Sequence, residues 1–265
     1  MYRVVELLNQ RRRFRDAQEV IQKFQGQAQS AFTREFGQLA SEVSIHTGNF
    51  LQAIELARQT AAAQPSNFRH LLWLGQTLVA AGKPEEAEKS LRQAVYLDVR
   101  QPEPWVALVY FLARTGSLDE ARAAIEDARQ RLPAQQAPLA LAQCYETVGQ
   151  TQDAEQSYRQ DLELDPEESA VRWSVAGFYL RSGQSLKAEH VLRSLINVQS
   201  TTPETIRRAA RRTLALVLIS QNGFSNFREA ISLIEQNMGQ SNGVPEDLSI
   251  KVKLLASRPT RWNLS

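Results

Sequence analysis

Side chains able to do chemistry are few and scattered in this sequence. One cysteine, Cys144, and three histidines, His46, His70 and His190, fall at no usual zinc-ligand spacing, and a lone cysteine closes no internal disulfide. Cys144 sits in LALAQCYETVG, a helical context in which a small buried thiol is more ordinary than a reactive nucleophile. The histidines read as partly exposed surface residues in different segments, not as general bases. The acidic runs PEE (84–86) and PEES (166–169) read as first-turn charges favoured by the helix dipole. No glycine-rich phosphate loop, His-Glu-x-x-His or Gly-x-Ser-x-Gly is present, so the expectation is a non-catalytic chain that needs no cofactor and no metal.

Two basic clusters remain, RRRFR (11–15) and RRAARR (207–212). On a helix, Arg207, Arg208, Arg211 and Arg212 share one side and could meet phosphates or a carboxylate-rich partner; the alternative is a solvated helix face. No aromatic residues are interleaved with them to stack on bases, so nucleic acid is the weaker partner class. Lys+Arg 31 against Asp+Glu 29 gives a net charge of +2, which creates no general field to gather nucleic acid or anionic membrane. The opening residues lack the order of a secretory signal, and no apolar run approaches the roughly 20 residues of a membrane span. A soluble, cytoplasmic chain without membrane partners is the expectation.

The elements that would position these residues repeat along the chain. An alanine just beyond a turn recurs at Ala17, Ala53, Ala87, Ala121, Ala154, Ala188 and Ala230, at intervals of 36, 34, 34, 33, 34 and 42 residues. Small or apolar residues at i, i+4 and i+7 around it describe one helix face, as in DEARAAIEDA (119–128). A glycine lies about five residues before it, at Gly48, Gly82, Gly116, Gly149 and Gly183, and upstream of each glycine runs a second amphipathic stretch such as PWVALVYFLAR (104–114). Each unit is therefore predicted to be a helical hairpin, closed in several cases by a proline at Pro65, Pro133 or Pro166.

These residues resemble the tetratricopeptide repeat family. Trp105, Leu108, Gly116, Ala121, Ile125, Ala128 and Pro133 fill its pattern in one unit, while Leu74, Gly75, Leu78, Gly82, Ala87, Leu91 and Ala94 fill it in another. Leu141, Ala142, Tyr145, Gly149, Ala154, Tyr158 and Pro166 fill a third. The resemblance implies an all-α, right-handed α-α superhelix of about seven hairpins, with first helices lining a concave groove that binds protein segments. Carried over position by position, the groove residues are Arg69, Leu72 and Gln76, then Val106, Tyr110 and Arg114, then Leu139, Gln143 and Glu146, and finally Trp173, Gly177 and Arg181. That makes an apolar floor edged by arginines, suited to an extended or helical partner segment with apolar anchors and acidic character. The alternative for Tyr110 and Trp173 is packing between hairpins. The lysines and asparagines with which one subtype grips a terminal carboxylate are absent from these positions.

The expected organisation is a degenerate hairpin over 1–30, five repeats over 31–200, an irregular hairpin over 201–240 with a long first helix begun at Thr202 and a loop QNGFSN, and an unpaired first helix of a further repeat over 241–265. That last helix would leave Leu248, Val252, Leu255 and Leu254 uncovered, which points to a piece of a longer protein or to self-association at this end. Three functions follow: a protein-binding scaffold, the recruiting segment of a larger enzyme such as a kinase or glycosyltransferase, or a nucleic-acid binder acting through Arg207, Arg208, Arg211 and Arg212.

Overall fold

The structure, a computed structural model, describes residues 2–25, 34–197, 201–221, 223–239 and 244–256. Among them the chain forms fifteen α-helices and no strand. Contacts divide it into two compact units, Met1–Gln150 and Thr151–Ser265. The first contains α1 (Tyr2–Gln10), α2 (Phe14–Gln25), α3 (Arg34–His46), α4 (Phe50–Ala63), α5 (Phe68–Ala80), α6 (Pro84–Leu97), α7 (Pro102–Arg114), α8 (Leu118–Arg131) and α9 (Ala137–Thr147). The second contains α10 (Thr151–Leu164), α11 (Ser169–Arg181), α12 (Ser185–Ile196), α13 (Glu204–Ser220), α14 (Phe224–Gly239) and α15 (Pro245–Ala256). Within the units α1–α2, α3–α4, α5–α6, α7–α8, α11–α12 and α13–α14 pair as antiparallel hairpins, and neighbouring hairpins of a unit stack on one another.

The recurring alanines explain the pairing. Ala17, Ala53, Ala87, Ala121, Ala154, Ala188 and Ala230 are all fully buried. The first helix supplies small residues opposite them: Ser41 Oγ donates to the Ala53 carbonyl (3.3 Å), and a Cβ built on Gly75 would lie 3.5 Å from the Ala87 carbonyl. That same Cβ would come within 2.8 Å of the buried Leu91 side chain, so Gly75 is needed for space rather than for backbone freedom. Trp105 fills the gap between hairpins, and its indole Nε1 donates to the Val99 carbonyl (2.9 Å), tying α7 back to the turn it follows.

The turns inside the hairpins share one design. In α5 the amide of Gly82 donates to the Val79 carbonyl (3.1 Å) and that of Lys83 to Leu78 (2.9 Å), a Schellman ending with Gly82 at φ +70°. Gly48, Gly116, Gly149 and Gly183 repeat it. The α1–α2 turn has the same bonds with Arg12 in the glycine's place at φ +56°. Pro65, Pro133 and Pro166 each follow two residues after α4, α8 and α10 end.

First helices also touch the next first helix, α3 on α5, α5 on α7 and α7 on α9 in the first unit, α11 on α13 and α13 on α15 in the second. Second helices are bridged by long side chains instead, as in the Arg58–Glu86 and Arg92–Glu120 pairs and Arg193–Glu229 (2.5 Å). The first-helix side is therefore the inner side of each unit.

Four expectations need correction. His70 is buried rather than at the surface. The long first helix begins at Glu204 with Pro203 at its cap, not at Thr202, and the expected loop QNGFSN is shorter because Phe224, Ser225 and Asn226 form the first turn of α14. Leu254 is buried against the core of the second unit, while Leu248, Val252 and Leu255 are exposed. The closing segment 257–265 lies outside the described residues.

The left-handed backbone has opposite consequences at two of these turns. A Cβ on Gly116 meets no atom within 4 Å, so Gly116→Ala should cost only its left-handed backbone, about 1 kcal/mol. Arg12→Gly should relieve the same strain and raise stability by up to about 1 kcal/mol. Urea denaturation followed by circular dichroism tests both, and equal midpoints for the parent and the two variants would sink the argument.

Candidate protein-binding face

In the first unit the inner face is built from α5, α7 and α9. Leu72 and Gln76 on α5 stand one turn apart, and Val79, one turn further along the same stripe, is 45% exposed. On α7, Glu103, Val106, Tyr110 and Arg114 follow the i, i+3, i+7, i+11 spacing of a single face. Leu72 and Val106 are half-buried and lean on the core, whereas Tyr110 is 50% exposed. Arg114 Nη1 donates to Tyr110 Oη (3.0 Å), with its guanidinium carbon 5.6 Å from the ring centroid. The phenol is thus held by its own helix while the ring stays open to solvent. Arg69 approaches Glu103 from α5 (3.8 Å), an exposed pair worth little to stability. Leu139, Gln143 and Glu146 on α9 are half-buried.

In the second unit Trp173 is half-buried and packs against the core, with Gly177 and Arg181 following it along α11. A Cβ at Gly177 would come within 3.0 Å of Arg181 Nη1, so the missing side chain lets the guanidinium lie back along the helix. Val79 and Glu103 are additions to the expected set. The i+7 step from Leu72 was the available signal for Val79.

The arginine cluster on α13 has internal partners and is neither a bare basic patch nor a solvated face. Asp247, at the start of α15, is completely buried. Arg212 donates to it through Nε (2.5 Å) and Nη2 (3.0 Å), and Arg208 through Nη2 (3.1 Å). The buried Asn237 of α14 donates to Asp247 Oδ1 (3.2 Å) and to the Arg208 carbonyl (3.1 Å), while its own Oδ1 accepts from Arg211 (3.2 Å). Arg211 also reaches Glu204 (2.9 Å), and Arg207 reaches Glu204 and the Thr202 carbonyl. These bonds fasten α15 to α13 and α14. A partner of Arg208 lying 39 residues away in the chain was not legible from the cluster itself.

Cys144 is buried in α9, and desolvation pushes its thiol up to about 12, so at neutral pH it is a protonated packing group. Among the described residues no group of three or more His, Cys, Asp or Glu is arranged to hold a metal ion, and no helix is long and apolar enough to cross a membrane.

With the hairpins and their inner face established, comparison with known proteins decides the family. Tetratricopeptide repeat models match residues 47–103, 75–137 and 139–170. Over residues 47–137 and 139–170 the chain is built of tetratricopeptide repeats. A tetratricopeptide repeat protein of Parabacteroides merdae ATCC 43184 has the same fold over 96% of both chains, at a TM-score of 0.53 and 9% identity. PilW, a type IV pilus biogenesis factor, aligns over 81% of this chain and 96% of its own at a TM-score of 0.51 and 16% identity. Both show the repeat fold alone. In sequence, the cellulose synthase operon protein C of Pseudomonas fluorescens (strain SBW25) is 26% identical over 60% of this chain, and the human protein O-mannosyl-transferase TMTC1 is 26% identical over 54%. The chain spans only 13% and 17% of those two proteins, so the similarity lies in one part of each.

The buried carboxylate of α15 has a consequence for pH dependence. The Arg212 hydrogen bond, helped by Asn237 and Arg208, holds Asp247 below its ordinary value. A depressed folded-state value stabilises above the unfolded value of about 3.9 and is lost as pH falls through the lowered one. Acid should therefore loosen α15 below about pH 4. Asp247→Asn should remove that dependence and cost about 3 kcal/mol at neutral pH, because it leaves partly buried guanidiniums unpaired. Hydrogen exchange of α15 amides across pH is the measurement, and an unchanged profile in the variant would refute the assignment.

Proposed function

We propose that the chain is a non-catalytic scaffold whose inner first-helix face holds a segment of a partner protein. The observation that carries this reading is Tyr110, an aromatic ring half open to solvent and fixed by Arg114, in line with exposed Val79 and half-buried Leu72 and Val106. Rigid aromatic and arginine side chains set in an apolar floor are the residues that dominate binding energy when a partner covers them. Arg69, Gln76, Gln143 and Glu146 supply polar contacts at the edge, and Trp173 and Arg181 are the corresponding candidates on the second unit. A cytoplasmic setting belongs to the same proposal, in keeping with a single unpaired thiol.

Tyr110→Ala with Val79→Ser alters only exposed positions and should leave helicity unchanged. In pull-downs from nuclease-treated lysate, proteins retained by the parent should bind the double variant about tenfold more weakly. The same set retained equally by both would show that the inner face is not the binding surface.

The short span of the matched relatives supports a second reading, in which the repeats recruit partners for a longer protein carrying its own activity. Self-association through α15 is supported by the exposed stripe of Leu248, Val252 and Leu255 at i, i+4 and i+7. Sedimentation velocity should then give a dimer for the parent and a monomer for Val252→Glu. A monomeric parent would remove this reading.

A further inference from the structure

The outer side of the first unit carries a pocket that the inner-face reading does not use. It lies between α6 and α8 over α7 and encloses about 250 Å³. Val95, Trp105 and Leu108 form its floor, and Arg92, Glu120 and Asp127 stand around it. That volume is below the ~300–1,000 Å³ typical of small-molecule sites. One long side chain is the better match.

The charges choose which side chain. Arg92 is already shared between Glu88 (2.7 Å) and Glu120. Asp127 is exposed and has no hydrogen bond or ion pair among the described residues. Within the lining two carboxylates, Glu120 and Asp127, stand against the one guanidinium of Arg92, leaving an excess of one negative charge at the rim of an apolar floor. The hairpin before it lacks this arrangement: one 34-residue interval earlier Arg58 and Glu86 repeat the ion pair, but the neutral Gln93 stands where Asp127 does and Leu71 where Trp105 does.

We propose that this pocket receives a single arginine side chain presented by a partner protein. Its aliphatic stem lies along Val95, Trp105 and Leu108, and its guanidinium pairs with Asp127 and with the lone pairs of Glu120 left free by Arg92. The planar fork carries donors on opposite sides and so can reach two separate carboxylates, where an ammonium offers a single point of charge. The site is independent of the inner face, so a partner could engage both layers at once.

N-acetylarginine amide is the probe, with N-acetylcitrulline amide as its uncharged isostere and N-acetyllysine amide as the point charge. Because the Trp105 indole N–H is fixed on Val99, its NMR resonance, assigned by its loss in Trp105→Phe, reports on the pocket floor. The arginine probe should shift it saturably. The citrulline probe and the Asp127→Asn variant should each bind more weakly, by up to about fivefold, as loss of one exposed charge pair implies. The lysine probe should fall below arginine. Asp127 bonds to no described residue, so the variant should keep its helicity by circular dichroism. A non-saturable shift, citrulline matching arginine, or an unaffected Asp127→Asn would overturn the pocket assignment. Lysine matching arginine would overturn the preference for a guanidinium.

Discussion

Two helices in each hairpin cross so closely that only a hydrogen, a methyl or a hydroxymethyl group fits between them. Buried alanines on the second helix and Ser41 or Gly75 on the first are what that approach permits. The rest depends on it. With the axes drawn together at the crossing, Leu91, Leu108 and Trp105 can reach across to the neighbouring hairpin and bury its open face. A branched side chain at Ala121 would separate the axes, and a core of this density does not relax around an added methylene without loss.

Because the first helices pack on one another while the second helices are joined by ion pairs, the two sides of each unit carry different chemistry. Inner side chains can stand close together and form a continuous surface, which is how Leu72, Val79, Val106 and Tyr110 come to share a stripe. Outer helices leave furrows that arginine and glutamate bridge, and where the bridge is incomplete, as beside Asp127, charge is left over. Arginine serves three ends here: Arg114 orients a ring, Arg92 spans a furrow, and Arg208 and Arg212 neutralise a buried carboxylate.

Legibility in the sequence followed distance along the chain. Glycines at Gly48, Gly82 and Gly116 announce turns because the left-handed conformation and its hydrogen bonds lie within six residues, and the prolines at Pro65, Pro133 and Pro166 mark helix ends for equally local reasons. Arg12 hides the same turn, since nothing in its identity signals a positive φ. Tyr110 and Val106 could be placed on the inner face from their position in the repeat alone. The role of Arg208 and Arg212 could not, because Asp247 meets them only after an intervening helix has folded back. His70 was misplaced for a similar reason: a histidine in an amphipathic stretch gives no sign of which face it takes.

The nearest-neighbour packing also has a kinetic side. Each hairpin closes through bonds a few residues apart and docks on a hairpin adjacent in sequence, so within a unit few contacts must wait for remote segments to meet. Loop-closure entropy is then small at every step, and contact order is low. Growth from any hairpin outward is as accessible as growth from an end. The exception is the latch of Asp247 and Asn237, whose polar groups gain their bonds only when three helices are already in place. Helix α15 should be the last of them to seat during folding and the first to leave.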